Sequence, residues 1–466
     1  MLKKIELCLL SLAVLLLAAC SVDSTAGSDD AKGAKGIARY TVILYGQNGG
    51  DMEQSIEGTM HDIKDVVGDE DDVRVLVVYK YGGGKKFSGK LAYPGQLLFF
   101  ELTKNTDLTA LKDSSAIVKG TVKFYDPDYI ASVINYAHDS LPAQEYLFFL
   151  EAHGEGFSFE DDFPKSRRGE SAALAKRSVS WALMQDEWIP FGANGNELMT
   201  LSELAEGIKK SKVPHFKSIL FHNCLMGNME SVAEIYPYAD YVMVSEHSLR
   251  SVRGELMTGV VEALTNNADD SFEDIVKGTL EDKEIKVSWK QGYAVANENG
   301  DFQLIKANMV ADLNPIFKKL SSRLIELYDD ETMRQAIDRA ADRTYKPDAA
   351  FDLFDARDYA KKFAEETGDE SLEKIAKELS DAFDAMTVTH AMEAHFSEKA
   401  PMDNYSLSIV LVDSAFYNGE MLSLEKKNRE SYEQTVFHKE TGWGDWLNVN
   451  AHMPAGNPHG QNSFGF

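Results

Sequence analysis

The first half of the chain alternates short apolar runs, rich in β-branched and aromatic residues, with stretches of helical periodicity. Several runs are apolar at nearly every position, which is typical of strands in a sheet covered on both faces. The predicted strands are 40–45, 73–81, 96–102, 146–150, 218–221 and 241–244, and the predicted helices are 52–67, 128–138, 201–210 and 229–236. This alternation predicts an α/β fold of three layers with a mainly parallel sheet.

From about residue 311 the pattern becomes mainly helical. Helices are predicted over 313–328, 356–366 and 371–386, and one strand-like run, 405–412, follows them. We therefore predict an α/β domain over 38–310 and a mainly helical C-terminal region over 311–466.

The N-terminus has the features of an export signal. A short basic start precedes an apolar run over 7–17, and positions 17–20 read Leu-Ala-Ala-Cys, which resembles a bacterial lipobox. We predict a lipoprotein signal peptide over 1–19, a lipid on Cys20 and a flexible tether over 20–37. An ordinary signal peptide that ends near a cysteine is the alternative. The expected location is the bacterial cell envelope, with the body periplasmic or surface-exposed.

Charge and cysteine usage exclude several classes of function. The formal net charge of −27 repels phosphates, so nucleic acid is not an expected partner. Cys8 and Cys20 belong to the export signal and the lipid site, which leaves Cys224 as the one cysteine of the body. This excludes an internal disulfide and a thiolate-rich metal site. A lone thiol is either buried and structural or reactive.

Two predicted strands end in reactive side chains. His153 follows the first within Y-L-F-F-L-E-A-H-G-E-G-F, and Cys224 follows the second within S-I-L-F-H-N-C-L-M-G-N-M-E. Sites in open α/β sheets collect at the carboxyl ends of the strands, so the two side chains are expected together if the strands are neighbours. A histidine within reach activates a thiol, and the N–H groups of Gly154 and Cys224 are candidates for an oxyanion hole. The alternative is that both residues only support the fold.

H-G-E-G-F and N-C-L-M-G-N-M-E resemble the H-G-x-G-W and D-x-C-L-M-x-x-x-E segments of the clostripain family, which are cysteine peptidases with a caspase-like sandwich. The resemblance extends to T-V-I-L-Y-G, D-P-D-Y-I and P-A-Q-E-Y before the histidine, and to Y-S-L-S-I-V and G-W-G-D-W-L near the C-terminus. It implies an endopeptidase that hydrolyses polypeptides, with Cys224 as nucleophile and His153 as its partner. The reaction proceeds through a thioester and requires no metal or other cofactor. We expect a monomer.

One position departs from the family pattern. Members usually carry an aspartate two residues before the cysteine, at a place linked to a choice of Arg or Lys at P1, and here that residue is His222. We predict that His222, Asn223 and Glu246 line the substrate pocket, and Glu246 or Glu255 is a candidate to supply the negative charge that His222 lacks. An imidazole does not attract a basic side chain as a carboxylate does, so the preference for basic P1 residues stays open.

Some relatives mature by cleavage between the histidine and the cysteine. That interval contains five basic residues that are candidate self-processing sites: Lys165, Arg167, Arg168, Lys176 and Arg177. A solvated, charged loop is the alternative reading of this stretch. The second candidate function, favoured by His222, is a catalytically inactive clostripain-like surface lipoprotein that acts in binding or adhesion. A third is a structural envelope protein with a buried thiol.

Overall fold

The computed structural model describes residues 36–48, 53–68, 72–81, 97–109, 117–118, 124–152, 154, 182–185, 198–247, 249, 255–267, 270–281, 301–347, 353–392, 406–411 and 432–451. Several predicted positions lie outside these residues. They are His153, the lipid site Cys20, and the basic residues Lys165, Arg167, Arg168, Lys176 and Arg177.

Within the described residues, nine strands form one sheet and four more form two small ribbons. The strands of the sheet are β1 (Ala38–Asn48), β2 (Val73–Tyr81), β3 (Leu97–Leu102), β4 (Ile117–Val118), β5 (Ala143–Glu151), β8 (Phe216–His222), β9 (Ala239–Val244), β10 (Asp301–Lys306) and β12 (Thr387–Met392). The ribbons pair β6 (Ala182–Gln185) with β7 (Leu198–Thr200), and β11 (Leu353–Asp355) with β13 (Ser408–Val410).

The order across the sheet is β12-β10-β9-β8-β5-β1-β2-β3-β4. The five central strands, from β9 to β2, are parallel to their neighbours, and the outer pairings on both sides are antiparallel. The predicted mainly parallel sheet is therefore confirmed at its centre. Because the central strands run in one direction, their carboxyl ends meet at one edge of the sheet.

Helices cover both faces of the sheet, which confirms the predicted three layers. They are α1 (Glu53–Val66), α2 (Pro127–Ser140), α3 (Leu201–Lys210), α4 (Met229–Ile235), α5 (Glu255–Asn266), α6 (Phe272–Glu281), α7 (Val310–Tyr328), α8 (Glu331–Arg343), α9 (Ala356–Thr367), α10 (Glu370–Met386), α11 (Val436–Thr441) and α12 (Trp443–Ala451).

Alternate residues of β1 point to opposite faces of the sheet and belong to two different hydrophobic cores. Ile43 and Tyr45 pack with α2, α3 and α4, whereas Val42 and Leu44 pack with α1, α5 and α6.

Local sequence explains where two of these helices begin. The Asp126 side chain accepts a hydrogen bond from the Asp128 N–H, and Pro127 occupies the first helical position of α2, where its missing N–H costs nothing. Thr200 and Glu203 form a reciprocal capping box at the start of α3. These two helices flank the strands that carry the predicted site.

The C-terminal region is mainly helical, as predicted, but it also contributes to the sheet. Its strand β12 pairs with β10, and Trp443 and Trp446 are buried in the same core as α4. Among the residues described, no helix is both long enough and apolar enough to cross a membrane.

Candidate active site

The register of two neighbouring strands brings the predicted site together. Strands β5 and β8 are parallel, and their pairing ends with Glu151 opposite His222. One residue further, the side-chain amide of Asn223 donates a hydrogen bond to the carbonyl oxygen of Ala152 at 2.9 Å. The segments that lead into position 153 and into Cys224 are therefore joined side by side at the carboxyl edge of the sheet.

Gly154 lies directly against the backbone of Cys224. A β-carbon at Gly154 would stand 2.4 Å from the Cys224 carbonyl oxygen, 3.0 Å from its nitrogen and 2.8 Å from the Asn223 β-carbon. No side chain fits at these distances, so the close approach of the two turns requires glycine. His153 itself is outside the described residues, but the residues on both sides of it contact Asn223 or Cys224.

Cys224 is a partly exposed residue, and its thiol forms no disulfide. Its sulfur accepts a hydrogen bond from the Leu249 N–H at 3.2 Å and donates to the Leu249 carbonyl oxygen at 3.4 Å. Partial exposure of Cys224 at a sheet edge disfavours the third candidate from the sequence, in which the thiol is buried in the interior.

The turn after Cys224 has an unusual backbone conformation. Leu225 has a φ of 62°, in the left-handed region that a leucine rarely adopts. Its side chain is buried in the core, and its N–H donates to the His247 carbonyl oxygen at 3.0 Å. Asn228 completes the turn by donating to the Leu225 carbonyl oxygen and accepting from the Ser231 N–H, which caps α4. Core packing and capping together hold Cys224 at the point where strand changes to helix.

His222 occupies an interior position. Its ring stacks on Phe302 with centroids 6.0 Å apart, and its Nδ1 atom is 3.9 Å from Glu151 Oε1, which is beyond hydrogen-bond distance. Burial lowers the pKa of His222 to about 4, so the imidazole is neutral at pH 7. It carries no positive charge that would repel a basic substrate.

All three residues predicted to line the substrate pocket are buried in this structure. Their exposed fractions are 3% for His222, 0% for Asn223 and 4% for Glu246. Asn223 instead joins the two turns, as described above. The assignment of these side chains to a substrate pocket stays a prediction that their burial does not support.

Sequence reasoning missed the buried carboxylate of Glu151. It accepts hydrogen bonds from Thr59 Oγ1 at 2.9 Å and from the Tyr79 hydroxyl at 2.7 Å. Tyr79 reaches it past Gly46, where a β-carbon would stand 2.4 Å from the tyrosine ring. The sequence does contain a signal for this residue: Glu151 is a charged residue at the end of an apolar strand, two positions before His153. A charged residue in a buried strand needs hydrogen-bond partners, so its presence there predicts a buried polar contact.

Glu230, the last residue of the cysteine segment, is also buried. It accepts hydrogen bonds from the Tyr432 hydroxyl at 2.6 Å and the Val410 N–H at 3.1 Å. Burial is the largest influence on this carboxyl group and raises its pKa to about 7. The residue therefore ties the helix after Cys224 to the C-terminal region.

Comparison with known proteins agrees with this geometry. The sequence profile described as the clostripain family matches residues 42–449, which is most of the chain and includes both turns of the site. The chain belongs to the clostripain family. Among curated proteins, none matches it significantly.

Solved structures of clostripain-family proteases share the fold. One is a secreted C11 cysteine protease from Bacteroides thetaiotaomicron, in complex with an irreversible peptide inhibitor, with 16% identity and a TM-score of 0.56. The similarity covers 88% of this chain and 100% of that chain. Another is an inactive zymogen C11 protease from Parabacteroides distasonis, with 16% identity and a TM-score of 0.54, covering 87% of this chain and 99% of that one. At this identity the likeness establishes the caspase-like fold alone.

Membership in the clostripain family supports cysteine peptidase chemistry for this chain. The fold, the partly exposed thiol and the glycine turn all agree with it. His222 is the residue at which the sequence departs from the family pattern described above.

Proposed function

We propose that this protein is a cysteine endopeptidase that hydrolyses polypeptides, with Cys224 as nucleophile and His153 as general acid and base. The observation that carries the proposal is the contact between Gly154 and Cys224, at a distance that only glycine allows. It joins the turn that contains His153 to the turn that contains the thiol. The hydrogen bond from Asn223 to Ala152 supports the same arrangement from the other side of position 153.

In the proposed reaction His153 takes the proton of the Cys224 thiol, and the thiolate attacks the scissile carbonyl carbon to form a tetrahedral intermediate. His153 protonates the departing amine, which leaves a thioester between Cys224 and the acyl half of the substrate. His153 then takes a proton from water, and the resulting hydroxide equivalent attacks the thioester carbonyl carbon. The carbon–sulfur bond breaks and releases the acid, and His153 returns the proton to the Cys224 thiolate.

The N–H groups of Gly154 and Cys224 are the proposed donors to the developing oxyanion. They belong to adjoining backbones, since a β-carbon at Gly154 would be 3.0 Å from the Cys224 nitrogen. The next N–H along the chain, that of Leu225, is already bonded to the His247 carbonyl oxygen and is not a candidate.

We also propose a preference for Arg or Lys at P1. The neutral state of His222 supports it, because a neutral imidazole does not repel a cationic side chain. The carboxyl group of Glu151 lies 3.9 Å from that imidazole, beside the position at which the resemblance places an aspartate. Cleavage of a peptide library by the purified protein tests both the activity and this preference. Cleavage confined to bonds after acidic or aliphatic residues contradicts it.

The decisive test of catalysis is labelling by a thiol-reactive peptidyl probe. We expect labelling of the wild type, none of Cys224→Ala, and weak labelling of His153→Ala. A folded wild type that neither reacts with the probe nor cleaves any peptide supports the second candidate, an inactive surface lipoprotein that acts in binding or adhesion.

Lipid attachment and self-processing are separate proposals with their own tests. Incorporation of a labelled fatty acid that is lost in Cys20→Ser supports the anchor and the cell-envelope location. A denaturing gel of wild type beside Cys224→Ala tests cleavage within the stretch that contains Lys165 and Arg177. Identical single bands rule out self-processing.

A further inference from the structure

The turn that carries Cys224 is attached to a strand nearly two hundred positions away in the sequence. The N–H of Ser408 and its hydroxyl both donate to the Gly227 carbonyl oxygen, at 2.9 Å and 3.2 Å. Ser408 also forms a parallel bridge with Asn228, the residue that caps the helix after the turn. Ser408 is fully buried, so these hydrogen bonds form without competition from water.

Gly227 has no free space on its other side. Its N–H donates to the Ser245 carbonyl oxygen at 2.6 Å, and a β-carbon there would stand 2.7 Å from the Glu246 nitrogen. The Gly227 peptide is therefore held between the end of β9 and Ser408. The turn cannot move toward β9, and on the opposite side the Gly227 carbonyl oxygen is bonded to Ser408.

A second attachment acts one helical turn further along. Glu230 accepts hydrogen bonds from the Val410 N–H and the Tyr432 hydroxyl, and Glu234 accepts one from the Val436 N–H at 2.9 Å. The indole N–H of Trp443 donates to the Val410 carbonyl oxygen at 3.0 Å, which fixes this strand to the C-terminal helices. The C-terminal region thus contacts the turn and the helix of Cys224 at successive points.

The backbone of the turn is expected to change conformation if its contacts with Ser408 are lost. Leu225 keeps a left-handed backbone conformation, which is unfavourable for a leucine and persists only when its surroundings enforce it. Leu225 directly follows Cys224, so a change in its φ reorients the Cys224 carbonyl and thiol. Catalysis tolerates little displacement of a nucleophile.

We infer that Ser408 is a positioning residue for Cys224, acting through the Gly227 carbonyl oxygen. The inference rests on the proposed role of Cys224 as nucleophile. The inference implies that the C-terminal region is needed for activity, because Ser408 belongs to that region and bonds the turn that carries Cys224.

The test compares Ser408→Ala with Ser406→Ala, a matched control. Ser406 is buried in the same segment, but its hydroxyl bonds the Leu407 carbonyl oxygen, the Arg357 N–H and the Asp355 side chain and not the turn. Ser408→Ala removes the hydroxyl donor and keeps the backbone N–H donor to Gly227, so we expect it to lower kcat about three-fold to ten-fold with KM nearly unchanged. Ser406→Ala also loses buried hydrogen bonds, so we expect its melting temperature to fall at least as far as that of Ser408→Ala while its kcat stays at the wild-type value. Ser408→Thr, which retains a hydroxyl, is expected to restore most of the loss of kcat.

A second readout separates this inference from the proposed function. The rate of alkylation of Cys224 by iodoacetamide, measured across pH, reports the surroundings of the thiol whether or not a substrate is known. A changed pH profile in Ser408→Ala, but not in Ser406→Ala, supports positioning even if no peptidase activity is found. Equal kcat and equal alkylation profiles in the two variants overturn the inference. If Ser408→Ala does not fold, Ser408→Cys takes its place with kcat as the readout, because a thiol is a weaker donor to the Gly227 carbonyl oxygen than a hydroxyl is; an unchanged kcat overturns the inference.

Discussion

Gly154 and Cys224 approach each other so closely that a single added carbon on Gly154 would overlap the carbonyl oxygen of Cys224, at 2.4 Å. Backbone atoms cannot yield as a flexible side chain does, so the two turns must separate if the glycine is replaced. The closeness of the turns is thus a property that one mutation can test.

Gly154→Ala is expected to lower kcat/KM by about a hundred-fold or more, because separating the turns misplaces the nucleophile and the proposed oxyanion donors. The measurement is hydrolysis of the best peptide from the library. Gly278→Ala is the control, since no atom lies within 4 Å of a β-carbon placed there. Wild-type activity in Gly154→Ala contradicts the described packing of the turns.

Asn228→Ala is expected to reduce both stability and activity. It removes the cap of α4 and the hydrogen bond to the Leu225 carbonyl oxygen, with a loss of about 1–2 kcal/mol in the free energy of unfolding. Asp330→Ala removes a comparable cap from α8, far along the chain from Cys224. Urea unfolding and peptide hydrolysis of both variants separate the effects: we expect similar losses of stability and a loss of kcat in Asn228→Ala alone. A loss of kcat in both variants would show that activity merely follows stability.

Glu230 is expected to make the protein less stable as pH rises. Its pKa is raised from 4.5 to about 7, so the folded state holds the proton more tightly than the unfolded chain does. This contribution is fully present below pH 4.5 and is lost as pH rises through 7. Glu230→Gln does not ionise, and its stability relative to wild type should rise by roughly 3 kcal/mol between pH 4 and pH 8. Urea unfolding across this range measures the change.

The control for this pH series is Glu262→Gln, which makes the same substitution at an exposed position of α5. Parallel stability curves for wild type and Glu230→Gln are the outcome that contradicts the prediction.

His222 is expected to make the protein less stable as pH falls, which is the opposite of the effect of Glu230. Burial lowers its pKa from 6.5 to about 4, so the unfolded chain takes up a proton that the folded protein resists. Its contribution to stability is present above pH 6.5 and is lost as pH falls to 4, by roughly 3 kcal/mol. In His222→Gln this part of the acid destabilisation should disappear, whereas His61→Gln, at an exposed position of α1, should keep it. If the free energy of unfolding falls equally with decreasing pH in both variants, protonation of His222 does not destabilise the folded protein, and the prediction is wrong.

Much of the fold was predictable because it depends on local patterns. Apolar runs such as 146–150 and 218–221 became the buried strands β5 and β8, and Asp126 with Pro127 started α2 where its capping chemistry predicts. The antiparallel outer strands were not predictable in the same way. Their pairing partners are distant in the sequence, and a run of apolar residues does not encode its direction relative to its neighbours.

The features of the candidate site also fall into two groups: those set by local sequence and those set by segments distant in the chain. Its residue types and order, with glycine after the histidine position and Leu-Met after Cys224, are written in the sequence and were sufficient to recognise the family. The burial of His222 and the neutral state that follows from it depend on Phe302 and Glu151, which arrive from other strands. No local pattern reports how much water a side chain loses when distant elements cover it.

The sequence alone therefore determined which segments become strands and helices, and which turns carry the thiol and its glycine partner, because hydrophobic periodicity and turn chemistry act over a few residues. Only the tertiary structure decided the pairing of Glu151 with His222, the contact of Gly154 with Cys224 and the attachment of Ser408 to Gly227. Those relationships come from strand register and from the packing of segments far apart in the chain. They form only when the chain has folded and these distant segments pack together.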